Sequence, residues 1–486
     1  MALRVAICAL GLPWLEAPHC AVANGAAWDA GPFASCLYDV HGVMRWRAAG
    51  PFFERASDAS GHRLMAVRPL FARTKGLPSE WARWEVLWPA AAGKQFQHEV
   101  SWRVVLAWHQ DFDTTDPRSR WRLWVVPLYF QGRDVEGRSY VAVFPLGGRI
   151  REFLMFDEVD FALFPLWART KKKETRSTSL LWPMFARTQG PGVSRIRVFP
   201  FYGHSMLQDR EESRFILWPI YTETRYLLPA SSGRGFVLWP FYGRTRRTDQ
   251  RSDFLLPPLF EYTRSPRQHR INAPWPFVRI GWGETRRFYL WPLYGYQRRT
   301  GTEKEFVGWP IFWRERTDRP NAVFRRWAAI PFLQIERETT RRAAPGTDPV
   351  RSRYLRAWPL FVHEQRGAES RWRAPVLLPF RDPPPIERNW APLWTLFERT
   401  SRDGRTDTEL LWGVFRRQYR GAEGVRTSVF PLIEWGRRPP PEGDGPAQSY
   451  GSLLKGLIGW ESTGAQRRLR MLYVFRFSWN SEAVTP

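Results

Sequence analysis

The chain has 486 residues, with 73 Lys and Arg against 47 Asp and Glu, and its formal charge is +26. Only seven of the basic residues are Lys, and guanidinium groups suit phosphate and carboxylate partners better than ammonium groups do. After the N-terminus, no segment approaches the roughly eighteen uncharged apolar residues of a membrane-spanning helix. The composition therefore excludes a bundle of membrane-spanning helices. It leaves open whether the arginine content reflects a GC-rich genome or affinity for an anionic polymer or lipid.

Residues 1–23 have the pattern of a secretory signal peptide. Arg4 supplies the positive charge, residues 5–15 form the apolar run, and residues 21–23 (AVA) are a small-residue cleavage site. The pattern predicts export to the cell envelope, either to the outer membrane or to the periplasm. Residues 24–50 would then form a lead-in to the repeats that follow.

Cleavage of this segment would also change the cysteine content. Cys8 and Cys20 would leave with the signal peptide and Cys36 alone would remain, so no internal disulfide is expected. Export also argues against nucleic acid as a partner. The expected partners are the outer membrane or an anionic polysaccharide or lipid.

A template of nine or ten residues recurs through the chain at intervals of about nineteen residues. It reads apolar, apolar, Trp or Phe, Pro, apolar, aromatic, small, Arg, Thr. Clear copies are AVRPLFART (66–74), FALFPLWART (161–170), LLWPMFART (180–188) and FVLWPFYGRT (236–245). Short aromatic segments bounded by polar runs favour strands over helices. The sequence predicts an all-β protein with about twenty repeated strands in residues 51–479.

The segments between copies are too short for a crossover helix, so neighbouring strands should pair antiparallel in a meander. With the Pro at the centre of a strand of about ten residues, each strand would bend at a bulge. Trp239 would pack at this bend beside Pro240, and Trp239→Ala would cost on the order of 3 to 5 kcal/mol. The apolar stretch of roughly 25 Å also matches the apolar band of an outer-membrane barrel. The sequence is compatible with a large closed barrel and also with a sheet that is covered on both faces.

The densest group of possible metal ligands is formed by the side chains of His109, Asp111 and Asp113, together with Asp116. On a strand, His109, Asp111 and Asp113 would share one face, which is a usable arrangement for a hard cation. The Gly and the terminal Glu of a calcium-binding loop are missing, however. A solvated turn after a strand accounts for the same residues and is the preferred interpretation. The sequence therefore predicts no bound metal and no cofactor.

Asp157, Glu158 and Asp160 lie between two apolar runs and could serve as paired carboxylates in glycoside hydrolysis. Their spacing alone is a weak indication. Charged residues at strand ends commonly form cross-strand ion pairs. We therefore expect these carboxylates to pair with Arg151 or Arg169.

A group of arginines at strand ends near aromatic residues is the candidate anion-binding site. Its members are Arg244, Arg246, Arg314 and Arg316, with Arg287 and Arg298 nearby. Stacking and charge could hold nucleic acid there, but for an exported protein lipopolysaccharide phosphate or an acidic polysaccharide is the more natural anion. The alternative is structural packing of cations on aromatic rings at the strand ends.

Two longer intervals interrupt the repeats near residues 341–352 and 437–449, and both are rich in Pro, Gly and Asp. They are interpreted as loop insertions in a continuing array. In residues 471–479 the side chains alternate between an aromatic-rich face and a more polar face more regularly than in the other strands. This segment resembles the last strand of an outer-membrane barrel. Residues 480–486 form a tail.

The repeat resembles those of uncharacterised bacterial proteins that carry tandem WPLF or WPLY units. The similarity runs from about Pro51 to the last strand and implies no known activity. Phosphate-cradling loops, nucleophile elbows and paired zinc ligands are absent from the sequence. We therefore expect a non-enzymatic cell-envelope protein, either an outer-membrane barrel or a scaffold. The alternatives are a soluble exported protein that binds an anionic glycan or lipid and, third, a hydrolase on the same scaffold.

Overall fold

The computed structural model describes residues 27–76, 81–341, 350–439 and 446–480. These residues form 46 strands and two short helices, α1 (Pro384–Asn389) and α2 (Ala391–Trp394). The strand pairs are antiparallel and join neighbours in sequence. The prediction of an all-β antiparallel meander is confirmed.

The strands are, in chain order, β1 (Trp28–Ala30), β2 (Ala34–Tyr38), β3 (Met44–Ala48), β4 (Phe53–Ser57), β5 (Arg63–Val67), β6 (Phe71–Gly76), β7 (Trp81–Val86), β8 (Ala91–Phe96), β9 (Glu99–Val104), β10 (Ala107–Asp111), β11 (Trp121–Val125), β12 (Tyr129–Arg133), β13 (Ser139–Val143), β14 (Gly147–Phe153), β15 (Phe156–Ala162), β16 (Trp167–Lys172), β17 (Thr175–Leu180), β18 (Phe185–Gly190), β19 (Val193–Val198), β20 (Tyr202–Leu207), β21 (Glu211–Ile216), β22 (Tyr221–Tyr226) and β23 (Gly233–Leu238). They continue with β24 (Tyr242–Arg247), β25 (Arg251–Leu255), β26 (Phe260–Arg264), β27 (Gln268–Asn272), β28 (Val278–Gly283), β29 (Thr285–Leu290), β30 (Tyr294–Arg299), β31 (Thr302–Val307), β32 (Phe312–Asp318), β33 (Ala322–Ala329), β34 (Leu333–Thr340), β35 (Val350–Ala357), β36 (Phe361–Arg366), β37 (Glu369–Ala374), β38 (Phe397–Arg402), β39 (Arg405–Leu410), β40 (Phe415–Tyr419), β41 (Val425–Val429), β42 (Ile433–Arg438), β43 (Gln448–Leu453), β44 (Ile458–Thr463), β45 (Gln466–Met471) and β46 (Phe475–Asn480).

The chain divides into two compact units. Unit 1 comprises Met1–Trp88, Ala368–Val376 and Asp382–Pro486, and unit 2 comprises Pro89–Gly367 and Leu377–Arg381. Unit 1 thus contains β1 to β7, β37 to β46 and both helices, whereas unit 2 contains β8 to β36. Among the described residues, β1 pairs with β2 and β46 pairs with β45, and no pair between these two end strands closes the sheet into a barrel.

The recurrent proline lies in a turn between two strands. In the copy at residues 236–245, β23 ends at Leu238 and β24 begins at Tyr242, so that Pro240 is the middle residue of the turn. The Trp239–Pro240 peptide bond is cis. The expected position of the Pro at the centre of a bent strand is therefore wrong. Because Pro has no N–H group to donate, its place in the turn leaves the hydrogen bonds of both strands complete.

Other boundaries also differ from the expected ones. Strands β1 to β3 lie within residues 24–50, so the sheet begins before the predicted start of the repeats. Helices α1 and α2 interrupt the array between β37 and β38. The predicted signal peptide, most of the first loop insertion, about half of the second and nearly all of the tail lie outside the described residues, at 1–26, 342–349, 440–445 and 481–486.

Apolar burial in unit 2 is concentrated in β11 to β15. Trp124, Phe130, Tyr140, Ile150 and Phe161 form a buried cluster there. The Trp124 indole N–H donates a hydrogen bond to the Tyr140 hydroxyl, with a donor–acceptor distance of 3.0 Å. The ring centroids of Trp124 and Phe130 are 6.0 Å apart. In contrast, residues 162–321 bury no apolar side chain. This half of unit 2 is a sheet without a hydrophobic core of its own.

Candidate functional site

Unit 2 exposes large apolar side chains along the side of its sheet where one set of strand ends is joined by turns. We call this row of turns the apolar edge. The turns on this edge join odd-numbered strands to the next even-numbered strands. Between residues 163 and 332 they lie at 163–166, 181–184, 199–201, 217–220, 239–241, 256–259, 273–277, 291–293, 308–311 and 330–332. Each of these ten turns carries at least one exposed large apolar side chain; Phe241, for example, is 63% exposed. The turns on the opposite edge, the polar edge, consist mainly of Gly, Pro, hydroxyl and charged residues.

Aromatic rings of successive turns lie close together along the apolar edge. The ring centroids of Phe277, Trp291 and Trp309 follow one another at 5.9 and 5.8 Å, and those of Phe164 and Trp182 are 5.9 Å apart. These distances are within the range of favourable aromatic pairs. Trp182 and Trp309 nevertheless remain half exposed. The rings therefore form a row that is packed along the edge and open to the surroundings.

Four turns of the apolar edge begin with a leucine in the left-handed backbone region. The φ angles are 44° for Leu163, 44° for Leu181, 46° for Leu217 and 47° for Leu256, and all four side chains are exposed. This conformation is unfavourable for a bulky L-residue. Gly308 occupies the same position in the turn 308–311 with φ 58°. The sequence thus has an exposed leucine at a position where glycine would adopt the positive φ without steric strain.

The two faces of unit 2 differ in their chemistry. The arginine face carries Tyr242 and Arg246 together with the residues paired with them in register. The hydroxyl face carries Thr245, Ser252 and Thr263, which are neighbours on adjacent strands. The Ser252 and Thr263 hydroxyl oxygens are 2.9 Å apart and share a hydrogen bond. The alternation of the template, with Arg and Thr adjacent, produces this difference because successive side chains point to opposite faces.

Five arginines on the arginine face form what we call the arginine row: Arg225, Arg234, Arg246, Arg251 and Arg264, one on each of β22 to β26. Each is the register partner of the next. Since adjacent strands are about 4.8 Å apart, the row places five guanidinium groups within roughly 20 Å. All five residues are exposed. Arg234, Arg246 and Arg264 form no ion pair with any residue that the structure describes.

The charges in the next row on the same face are neutralised. Arg214 lies 2.6 Å from Glu223, and its hydrogen bond holds the pKa of the Glu223 carboxyl below its usual range. Arg244 lies 2.7 Å from Asp253. Burial raises the pKa of Asp253, but the Arg244 hydrogen bond outweighs this effect and the pKa falls below its usual range. Asp253 also lies 3.5 Å from Arg251. The carboxylates of this part of the sheet are thus already engaged beside the arginine row.

The structure places the four predicted anion-binding residues on the arginine face. Arg244 and Arg316 are each paired with an aspartate, at 2.7 and 3.0 Å, and Arg314 faces a glutamate in register. Arg246 belongs to the arginine row. The other four members of the row were not predicted, because their alignment depends on the register of strands that the sequence pattern did not resolve.

The predicted metal candidates are engaged separately. His109 lies against a tryptophan ring, with centroids 5.2 Å apart. Asp111 accepts a hydrogen bond from the Ser119 hydroxyl at 3.1 Å, and Asp113 accepts one from the Thr115 backbone at 2.9 Å. In the part of the chain that the structure describes, no group of three or more His, Cys, Asp and Glu side chains is arranged to hold a metal ion.

Two of the three candidate catalytic carboxylates, Glu158 and Asp160, are held by arginines. Asp157 instead accepts a hydrogen bond from the backbone N–H of Lys173. Asp160 lies 2.6 Å from Arg149 and 2.8 Å from Arg169, and Glu158 lies 3.0 Å from Arg149 and 3.5 Å from Arg151. Burial raises the pKa of Asp160, but the two arginine hydrogen bonds bring it below its usual range. Both carboxylates are therefore ion-pair partners, as expected for cross-strand charges.

Unit 1 contains a second polar site, which we call the ionic interior. Arg47 lies 2.7 Å from Glu409, which is also 3.3 Å from Arg416, and Arg371 lies 2.8 Å from Glu398. These groups line two cavities of about 170 and 150 Å³. The ion pair between Arg47 on β3 and Glu409 on β39 connects strands that are far apart in sequence. The ionic interior thus fastens the N-terminal strands of unit 1 to its C-terminal strands.

Ionisation in the ionic interior is set by these pairs. Glu409 raises the pKa of Arg47 above its usual range. Burial raises the pKa of Glu398, but the charges of Arg371 and Arg47 outweigh it and lower the pKa to about 2. Burial raises the pKa of Asp407. Cations and anions are mixed here in partly buried pairs, and breaking such a pair is costly because it leaves one charge uncompensated. The arrangement supports a structural role.

Comparison with protein-family models and with curated proteins finds no match to this chain. Neither helix in the described part of the chain is long and apolar enough to cross a membrane. The site with the most distinctive chemistry is therefore the combination in unit 2 of the apolar edge and the arginine row.

Proposed function

We propose that the protein is a non-enzymatic cell-envelope protein that lies on a lipid surface and contacts it through the apolar edge of unit 2. The observation that carries this proposal is the exposure of large apolar side chains at ten successive turns. At about 4.8 Å per strand, these turns extend roughly 90 Å along the sheet. Soluble monomers rarely expose contiguous apolar patches larger than a few hundred Å², so a band of this length requires an apolar partner.

The absence of buried apolar side chains in residues 162–321 supports the same proposal. A sheet normally buries one face against a second layer. Here the apolar side chains gather at one edge, where a bilayer can cover them without a second protein layer. Amphipathic helices that lie in the membrane interface bury their apolar face by about 5–10 Å, and the turns of the apolar edge would insert to a similar depth.

The composition of the edge fits an interfacial position. Trp residues are enriched where hydrocarbon meets water, because the indole ring is largely apolar and carries one polar group. Trp182, Trp239 and Trp309 occupy corresponding turns of the apolar edge and are exposed. The strained leucines add to this argument, since a leucine at positive φ costs stability and about half of each of these side chains is left uncovered by the protein.

The left-handed leucines provide a test that separates lipid binding from folding. Leu181, Leu217 and Leu256 are changed to Gly, singly and together, in the full-length protein. Glycine relaxes the positive φ, so we expect the variants to be as stable as the wild type or more so. Flotation with mixed phosphatidylcholine and phosphatidylglycerol vesicles should show binding weakened by at least about tenfold in the triple variant, since three leucine side chains are withdrawn from lipid.

The matched control is Leu154→Gly. Leu154 is 80% exposed and has φ 55°, but it lies in the β14–β15 turn on the polar edge. We expect this variant to bind vesicles like the wild type. Equal loss of binding in Leu154→Gly and Leu217→Gly, or no vesicle binding by the wild type, would overturn the proposal.

A further inference from the structure

The arginine row is a charge arrangement that the fold does not require. Like charges placed directly opposite each other on adjacent strands destabilise a sheet. The row contains four such pairs in succession, from Arg225 to Arg264. The neighbouring row shows the alternative, since Arg214 and Arg244 each face a carboxylate. An anion from outside the chain would remove the repulsion in the arginine row.

The geometry of the row indicates what kind of anion this is. Five exposed guanidinium groups repeat at the strand spacing of about 4.8 Å, so a single small anion would contact only one or two of them. A guanidinium presents a planar pair of donors that binds phosphate oxygens in a bidentate manner. Many phosphates side by side, rather than one, would satisfy the row.

The position of the row relates it to the apolar edge. Arg246 lies five residues beyond Phe241 at the tip of its hairpin, which is roughly 17 Å along the strand. If the tip inserts by about 5–10 Å, a sheet inclined with its arginine face toward the membrane brings these guanidinium groups to the headgroups. A layer of lipid headgroups supplies closely spaced phosphates at this height.

We infer that the arginine row binds the phosphates of anionic lipid headgroups, so that the protein selects phosphate-bearing anionic surfaces. This inference rests on the proposed function, because the apolar edge must first bring the sheet to the membrane. The row supplies selectivity and the edge supplies attachment. The two contributions can therefore be lost separately.

The test uses the full-length protein and the variant R234Q/R246Q/R264Q, which removes the three arginines that have no ion pair. Vesicles of phosphatidylcholine alone are compared with vesicles that also contain phosphatidic acid or, at equal surface charge, oleate. We expect the wild type to bind phosphatidic acid vesicles about 10- to 100-fold more tightly than phosphatidylcholine vesicles, with a strong dependence on salt. The triple variant should lose this gain and keep its binding to phosphatidylcholine.

The charge-matched control is R195Q/R197Q/R287Q, which removes three arginines from the hydroxyl face. This variant should retain the preference for phosphatidic acid. An equal gain on oleate vesicles, or a phosphatidic acid gain that survives in R234Q/R246Q/R264Q, would overturn the inference while leaving the proposed function intact. If the wild type bound none of these vesicles, both the inference and the proposed function would be overturned.

A soluble phosphate source is distinguished with polyphosphate. We expect polyphosphate to compete only weakly with phosphatidic acid vesicles, because it offers no hydrocarbon to the apolar edge. Tight binding of polyphosphate through the arginine row, without any preference for vesicles, would assign the phosphate chemistry to a soluble polymer and overturn the lipid assignment.

Discussion

At Gly295, two aromatic rings from neighbouring strands meet above the backbone. Tyr289 and Phe306 are the register partners of Gly295, and their ring centroids are 5.4 Å apart. A Cβ atom on Gly295 would come within 2.5–2.6 Å of both rings. The ring of Phe215 covers Gly203 in the same way. The small position of the repeat is therefore the place where a neighbouring aromatic side chain lies across the strand.

Glu398 in the ionic interior gives stability a defined dependence on pH. Its pKa is about 2 in the folded protein, against an ordinary value of 4.5. A lowered pKa stabilises the fold above the ordinary value, and this stabilisation is lost as pH falls from about 4.5 toward 2. We expect Glu398→Gln to reduce the free energy of unfolding by about 2 kcal/mol at pH 7. Urea denaturation from pH 7 to pH 3 should show the difference from the wild type shrinking with acidification.

Glu461→Gln is the control for this prediction. Glu461 is exposed on β44 in the same unit and forms no ion pair with any described residue, so its loss should change the free energy of unfolding by less than about 0.5 kcal/mol. A difference between Glu398→Gln and the wild type that stays constant with pH would show that Glu398 has an ordinary pKa in the folded protein.

At the scale of the hairpin, the sequence predicts strands and antiparallel pairing but misses the turn inside each template. In residues 236–245 the turn has three residues, so Leu238 and Tyr242 are paired and lie on the same face, as do Phe236 and Arg244. An odd number of turn residues preserves the alternation of faces. In this copy the pattern therefore reads like one continuous strand through Pro240, whereas a four-residue turn, as at 181–184, shifts the alternation by one residue. A hairpin is distinguished from a continuous strand by the pairing of residues within the copy and not by the periodicity of the sequence.

This revised hairpin changes the expected effect of removing the turn tryptophan. Trp239 is 44% exposed in its turn, whereas Trp124 on β11 is 6% exposed and lies in the buried cluster. We expect Trp239→Ala to cost about 1 kcal/mol or less and Trp124→Ala to cost about 3 to 5 kcal/mol. Chemical denaturation followed by far-UV circular dichroism, without lipid, compares the two. Equal destabilisation would mean that the turn tryptophans are packed after all.

At the scale of the molecule, the arginine content has a spatial order that composition alone could not reveal. The sequence singles out Arg246 because it follows a clear copy of the template. Arg234 and Arg251 lie in the segments between copies, and only strand register places them beside Arg246. The apolar edge does not show in the sequence either, because the template predicts its side chains at strand centres. Both parts of the candidate site thus depend on where the turns lie, which the template does not show.

The uneven distribution of buried apolar side chains predicts uneven stability across unit 2. Strands β11 to β15 enclose the cluster around Trp124, whereas β17 to β32 bury no apolar side chain. Regions with few buried contacts open locally at lower free energy, and their amides exchange faster. Hydrogen–deuterium exchange of the lipid-free protein should therefore show uptake in β17 to β32 that is about tenfold or more faster than in β11 to β15. Uniform protection of both regions would mean that strand pairing alone stabilises the sheet as well as the apolar cluster does. In that case the missing core of residues 162–321 would no longer call for a covering surface.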